Sequence, residues 1–220
     1  SGLRWALERA QAAAGGRLAV EGASGTLAGS VRIARLAYEG EGFQLESRAL
    51  HARADLLAAL GGRLSLDPLQ AASIEIVLHA GAAERPASAP ALPFAIALGN
   101  VAVDRLEFVR EGERHSLQEV RLSHLRLDRE LSAEGSFRRA DERFPLEASF
   151  TLSGSLERFE ASAALAVAGI PAKGKAVIRA FGEPRVESIE AQGGPVDLLR
   201  FDAGLPRTAI SARIDAKAAA

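Results

Sequence analysis

The stretch FAIALGNVAVDRLEFVREGERHSLQEVRLSHLRL, from Phe94 to Leu127, decides the fold of this chain. Apolar and polar residues alternate along it, so that Phe94, Ile96 and Leu98 fall on one face of an extended backbone. Successive side chains of a β-strand point to opposite faces of a sheet, so this period of two predicts strands. The polar turn from Glu111 to Glu113 predicts a hairpin between two of them.

The same alternation continues on both sides of this stretch. It occurs at Arg17–Glu21, Ser30–Arg35 and Gly42–Arg48, and again from Phe144 to Leu152, with glycines between the runs. A strand buried on both faces would read as a continuous apolar run, whereas nearly every run here is one-sided. We therefore predict a mainly β fold, an elongated and curled antiparallel β-sheet whose apolar side forms a repeating β-groove. A sandwich of two sheets would also explain the one-sided strands.

Helical spacing occurs mainly at the start of the chain. Residues 1–16 are predicted to form an amphipathic helix, which Gly15 and Gly16 end, and residues 17–220 are predicted to form the curled β-groove segment. A small helical insert is expected at Ala54–Leu60. Residues 80–93 are rich in proline and alanine and are predicted to be a loop or linker. Because the strand pattern is the same before and after them, we favour an excursion between two strands of one sheet.

Composition excludes several classes of function. The 27 basic and 28 acidic residues leave a formal net charge of −1, and no basic block stands out, so we expect no nucleic-acid partner. The chain has no cysteine, which excludes disulfides, thiol nucleophiles and cysteine-ligated zinc. No apolar run approaches the roughly 20 residues of a membrane span. The chain also lacks methionine, and we expect it to be part of a longer protein with a membrane anchor upstream.

A search for catalytic or metal-binding patterns finds none that is specific. His51, His79, His115 and His124 are too far apart along the chain for the local spacings of zinc motifs. The string Gly22–Gly25 resembles a nucleophile elbow but lacks its spacing, and no phosphate-binding glycine loop occurs. We therefore expect no enzyme activity, no catalytic residues, no metal and no cofactor.

Several stretches resemble the TamB and AsmA-like family of envelope proteins. They are Gly2–Leu7, Gly15–Gly22, Gly25–Tyr38, Leu56-Leu57 before Gly62–Leu69, Ile74–Leu78, and Val196–Phe201 followed by Leu205-Pro206 and Ala209–Ala216. The match covers residues 1 to 80 best and is a pattern rather than a catalytic signature. The resemblance implies a sheet curled like a taco shell around an apolar groove. It further implies tethering to the inner membrane, a periplasmic location, and a role in assembling outer-membrane proteins and moving phospholipid between the membranes.

These observations predict a periplasmic segment that holds or conducts phospholipid acyl chains along its groove. The alternative is a protein-interaction module that uses an exposed sheet edge, with an outer-membrane barrel of the BamA-like type as partner. Self-association through the same edge is also expected. The candidate lining of the groove consists of apolar residues predicted to share one face: Val31, Ile33, Phe43, Leu45, Leu64, Leu66, Ile74, Ile76, Phe94, Ile96, Leu98, Val120, Leu122, Phe150 and Leu152.

Overall fold

The structure of the chain, a computed structural model, describes most of its residues. The described residues are 2–15, 17–26, 29–40, 42–55, 63–79, 95–110, 112–128, 130–139, 145–155, 157–179, 186–197, 199 and 204–218. They form one helix, α1 (Gly2–Ala13), and thirteen strands. The strands are β1 (Leu18–Glu21), β2 (Ser24–Gly25), β3 (Ser30–Gly40), β4 (Phe43–Ala54), β5 (Arg63–Leu78), β6 (Ala95–Arg110), β7 (Glu113–Leu127), β8 (Leu131–Arg139), β9 (Leu146–Gly154), β10 (Arg158–Val167), β11 (Ile170–Arg179), β12 (Val186–Val196) and β13 (Ile210–Lys217).

All described strands belong to one open, curled sheet, which confirms the predicted fold class. Their order is that of the sequence, with the short β2 pairing beside β1 on the edge of β3. The sandwich alternative is wrong, because every described strand lies in this single sheet. The hairpin predicted at Glu111–Glu113 is confirmed, because Arg110 at the end of β6 pairs with Glu113 at the start of β7.

One pair departs from the predicted antiparallel pattern. Strands β5 and β6 run parallel, with Arg63 opposite Ala95 and Leu78 opposite Arg110. A parallel pair needs a long connection rather than a tight hairpin, and the sixteen residues from 79 to 94 provide the length. The two strands flanking the predicted excursion are neighbours in one sheet. The predicted loop itself, residues 80–93, lies outside the described residues.

The two helical predictions have different outcomes. Helix α1 ends near the predicted point, where Gly15 adopts φ +61° and its N–H donates to the carbonyl oxygen of Ala12. Glycine adopts this left-handed conformation without the steric penalty of a side chain, which explains why the helix ends there. The predicted insert at Ala54–Leu60 is wrong at its first residue, because Ala54 ends β4. Residues 56–60 lie outside the described part.

Two irregular rows cross the first half of the sheet. In the first row, regular pairing is interrupted at the same height in neighbouring strands, at Ala34, Ala49, Ala72, Asp104 and Glu119. The apolar positions shift by one residue on crossing it in every strand, so they remain on one face. The register shifts between β7 and β8, because β8 carries no matching extra residue.

The second irregular row is fixed by a side chain. The Asp67 carboxylate accepts hydrogen bonds from the backbone N–H of Asn100, at 3.1 Å, and from its side-chain amide, at 3.0 Å. A Cβ atom on Gly99 would collide with this carboxyl group, which explains the glycine there. The row continues to His124 in β7, which has φ 54°. Irregularities of this kind increase local twist, and they occur here in the longest strands of the sheet.

Among the described residues, no second layer covers the apolar side of the sheet. Contacts join neighbouring strands, and α1 contacts only β1 to a substantial extent. The small core lies within the sheet itself, where Ala71, Val101, Val103 and Val120 pack against one another. The accessible surface of the chain is 14660 Å². A compact monomer of 23.1 kDa is expected to expose about 9,700 Å², so this fold leaves an unusually large area in contact with solvent.

Candidate functional site: the apolar face

Strand registers define the two faces of the sheet. Residues directly opposite each other in neighbouring strands point to the same side, so that successive pairings trace a row across the sheet. One such row contains Val101, Leu122, Gly135, Phe150, Ala163, Gly174, Ala191 and Ile214. It runs from β6 to the last strand without a polar side chain. We call the side of the sheet that carries these rows the apolar face, and the opposite side the polar face.

The predicted lining residues come together on the apolar face. Pairings at the centre of the set include Leu45 with Ile76, and Leu66 with Leu98. The members placed there by register are Val31, Ile33, Phe43, Leu45, Leu66, Ile74, Ile76, Ile96, Leu98, Val120, Leu122, Phe150 and Leu152. Leu64 pairs with Ile96 through its backbone, and nothing is described of its side chain. Phe94 lies outside the described residues.

Burial divides this set. Ile33 and Val120 are each only 6 % exposed, so their side chains pack against protein neighbours and are not open to a ligand. The other described members are half-buried and keep part of their surface in solvent. The face therefore combines a packed strip with an accessible apolar surface beside it.

Other residues of the apolar face were not predicted from the sequence. In the first half they include Leu36, Leu50 and Leu106, which continue the rows beyond the first irregular row. Two adjacent residues that are not large and apolar, such as Ala34-Arg35 and Asp104-Arg105, mark each change of phase and could have revealed them. In the last strands the alanine-rich pattern conceals the face, which includes Ile170, Ile178, Ile189, Ile210 and Ile214.

The apolar face has two halves of different composition. The aliphatic half, on β3–β7, carries mainly leucine, isoleucine and valine. The small-residue half, on β10–β13, has Ala, Gly and Ala at its centre, exemplified by Ala163, Gly174 and Ala191. The large side chains of the small-residue half have mostly small neighbours and stay accessible to solvent. Ile189, Ile210 and Ile214 are 40 %, 51 % and 59 % exposed.

One hydroxyl interrupts the aliphatic half. Ser47 lies opposite Leu36 and Ile74 and is only 2 % exposed. Its Oγ has no hydrogen-bond partner among the described atoms. A buried polar group without a partner opposes folding, because it loses its hydrogen bonds to water.

The polar face is held by ion pairs across strands. Arg35 and Arg48 each approach the Glu46 carboxylate to 2.8 Å. The hydrogen bonds from Arg35 and then Arg48 lower the pKa of Glu46, while the hydrogen bond to Glu46 raises the pKa of Arg35. Both shifts favour the charged forms of Glu46 and Arg35, whose ion pair links β3 to β4, so we interpret the cluster as structural.

A second ion-pair cluster lies near the other end of the sheet. Glu187 accepts hydrogen bonds from Arg158, at 2.9 Å, and from Arg179. Partial burial opposes ionisation of Glu187, but the hydrogen bonds from Arg158 and Arg179 prevail and lower its pKa. Lys175 pairs with Glu160 at 2.7 Å, which raises the pKa of the lysine. A lysine held in its protonated form is not a candidate general base.

A cavity of about 960 Å³ lies along β6–β13. Its lining includes the row from Val101 to Ala191 and the residues on either side of that row, such as Arg121, Lys173 and Thr151. Of the groove lining predicted from the sequence, only Leu122 and Phe150 border this cavity. Within the part of the chain that is described, no group of three His, Asp or Glu side chains could hold a metal ion.

Among the described residues, no helix has the length and apolar character needed to cross a membrane. The chain matches no protein-family model, no curated protein and no solved structure at a significant level. The resemblance to the TamB and AsmA-like family therefore stays a prediction from the residue pattern.

Proposed function

We propose that this chain is a periplasmic segment of an envelope-biogenesis protein of the TamB and AsmA-like kind. Its apolar face holds or conducts phospholipid acyl chains between the inner and outer membranes. The observation that supports this is the apolar face itself, which runs from β1 to β13 without a covering layer among the described residues. Large uncovered apolar surfaces on a protein usually mark a binding surface.

The chemistry of the face favours hydrocarbon as the occupant. A peptide laid on it would leave its own N–H and C=O groups without partners, because the face offers apolar side chains rather than donors and acceptors. An acyl chain needs no hydrogen bonds. Charged side chains such as Arg110 and Glu113 lie at the ends of the apolar rows, where a lipid headgroup could remain hydrated.

The dimensions also suit lipid. Neighbouring strands lie about 4.8 Å apart, so the twelve strands in the main path of the sheet extend the face over roughly 50 Å. Half of a bilayer's hydrocarbon core, the depth of one acyl chain, is only about 15 Å. Each buried methylene contributes about 0.8 kcal/mol, so retention scales with the contact length and no single site is needed.

Native mass spectrometry of the protein as purified, with organic extraction of bound material, tests the proposal. Ile76→Asp places a charge among Leu45 and Phe108 on the apolar face, while Val77→Asp makes a similar change on the polar face of the same strand. We expect phospholipid to co-purify with the unmodified chain and the Val77 variant, and to fall at least tenfold in a folded Ile76 variant. A protein free of lipid that takes up none from phosphatidylglycerol vesicles would contradict the proposal.

The second candidate function is a protein-interaction module for outer-membrane protein assembly. It is favoured by strand β13, whose described pairing is with β12 alone and whose residues are all exposed. An exposed edge offers unpaired N–H and C=O groups, which an incoming strand can use and an acyl chain cannot. A proline at Ala212 should abolish capture of a barrel of the BamA-like type, whereas unchanged capture would count against this function.

A further inference from the structure

The two edges of the sheet differ in how they are protected. At one edge, β1 has only four residues and lies against α1. At the other edge, β13 has eight residues, and its described pairing leaves one side open. Long unprotected edges recruit further strands, and the sequence of such a strand determines which partner fits.

We propose that β13 pairs with β13 of a second copy of this chain, in an antiparallel arrangement centred on Ile214. In this register Ile214 lies opposite itself. Arg213 lies opposite Asp215 of the second copy, and Asp215 lies opposite Arg213 of the second copy. The strand is therefore self-complementary, with opposite charges facing each other on the polar face and isoleucines meeting on the apolar face.

Neighbouring registers lack this complementarity. Centring on Arg213 places two arginines face to face, and centring on Asp215 places two aspartates face to face. Centring on Ala212 or Ala216 keeps the apolar residues together but pairs fewer residues of the strand. Registers whose centre lies between two neighbouring residues place the apolar side chains of one copy opposite the polar side chains of the other. The centre at Ile214 alone combines a long overlap with two favourable charge pairs.

The environment of Asp215 supports this register. Within its own chain Asp215 lies opposite Glu190, a neighbour of the same charge. Like charges directly opposite each other destabilise a sheet, and an arginine on the open side relieves the repulsion. Pairing also covers Ile214, which is 59 % exposed, and joins the two apolar faces into one surface. The inference does not depend on whether that surface holds lipid.

Sedimentation equilibrium of charge-swapped variants tests the register. Asp215→Arg and Arg213→Asp each place like charges opposite each other in the dimer, and the double variant Arg213→Asp/Asp215→Arg restores both pairs. We expect each single change to weaken the dimer at least about tenfold, and the double variant to recover it. Asp215→Arg removes the repulsion from Glu190 within the chain, so loss of the dimer does not reflect unfolding of β13.

Cross-linking supplies an independent measurement, because the chain has no cysteine of its own. In Ile214→Cys the two cysteines lie opposite each other, and their Cα atoms are within the roughly 4.4–6.8 Å separation that a disulfide spans. In Ala216→Cys, the control, the two cysteines lie about 13 Å apart, since each residue advances the strand by about 3.3 Å. Rapid oxidation of the first variant alone supports the register. A chain that stays monomeric at millimolar concentration, a dimer insensitive to the charge swaps, or equal cross-linking of both variants overturns it.

Discussion

The aliphatic half and the small-residue half of the apolar face shield their large side chains from solvent to different extents. In the aliphatic half, strands of up to sixteen residues cross two irregular rows, and their large side chains shield one another until Val103 is only 4 % exposed. In the small-residue half the registers are more regular and the strands shorter, and isoleucines remain half-exposed. A single sheet can therefore build a core without a second layer, provided that large side chains crowd its curled face.

The largest predicted effect separates the two halves directly. Val103→Asp places a charge in the packed core between Ala71 and Val120, and we expect it to lower the free energy of unfolding by at least about 3 kcal/mol. Ala163→Asp makes a similar change in the small-residue half, where the residue is half-buried, and should cost less than about half as much. Urea unfolding measures both. Equal losses would mean that the halves contribute alike to stability.

Two glycines of one row compare the packing at β8, which lies between the two halves, with the packing inside the small-residue half. A Cβ on Gly135 in β8 would approach the backbone oxygen of Arg121 to 2.7 Å, whereas a Cβ on Gly174 in β11 would meet nothing closer than 3.2 Å. We expect Gly135→Ala to cost about 1–3 kcal/mol through forced backbone shifts. Gly174→Ala should lie within about 1 kcal/mol of the original, because the unfolded chain loses entropy. Thermal unfolding of both variants checks the difference. A Gly135→Ala variant as stable as the original would show that β8 is packed more loosely around this residue than described.

The unpartnered hydroxyl of the aliphatic half predicts a change in the opposite direction. Replacing Ser47 by alanine removes a buried polar group at little loss of volume, and we expect stability to rise by about 1 kcal/mol. Ser149→Ala on the exposed polar face is the control and should be nearly neutral. A loss of stability in the Ser47 variant would indicate that its hydroxyl is satisfied in solution.

The sequence predicted the one-sided strands because alternation follows directly from strand geometry. It did not predict the parallel pairing of β5 with β6, since a long connection allows either direction and side-chain alternation is the same in both. It also missed Leu36 and Leu106, because an irregular row shifts the phase by one residue. The exposed Ile210 and Ile214 escaped notice as face residues because an alanine-rich strand carries little alternation in size.

The smallest predicted effect concerns acid stability in the aliphatic half. Hydrogen bonds from Arg35 and Arg48 hold the pKa of Glu46 below its unfolded value, so the folded state favours the carboxylate. Between these two pKa values the unfolded chain binds more protons than the folded one, and stability therefore falls as the pH drops. The contribution is fully present above about pH 4.3, the usual glutamate value, and is lost as the pH falls through the folded pKa.

Glu46→Gln removes this linkage, because glutamine does not titrate and accepts weaker hydrogen bonds from the arginines. We expect the variant to be less stable than the original at pH 7 and to approach it as the pH falls below about 4.3, with urea midpoints measured at each pH. Raising the salt concentration should narrow the gap at pH 7, since these exposed pairs are screened. A gap that stays constant down to acid pH would assign the role of Glu46 to packing rather than charge.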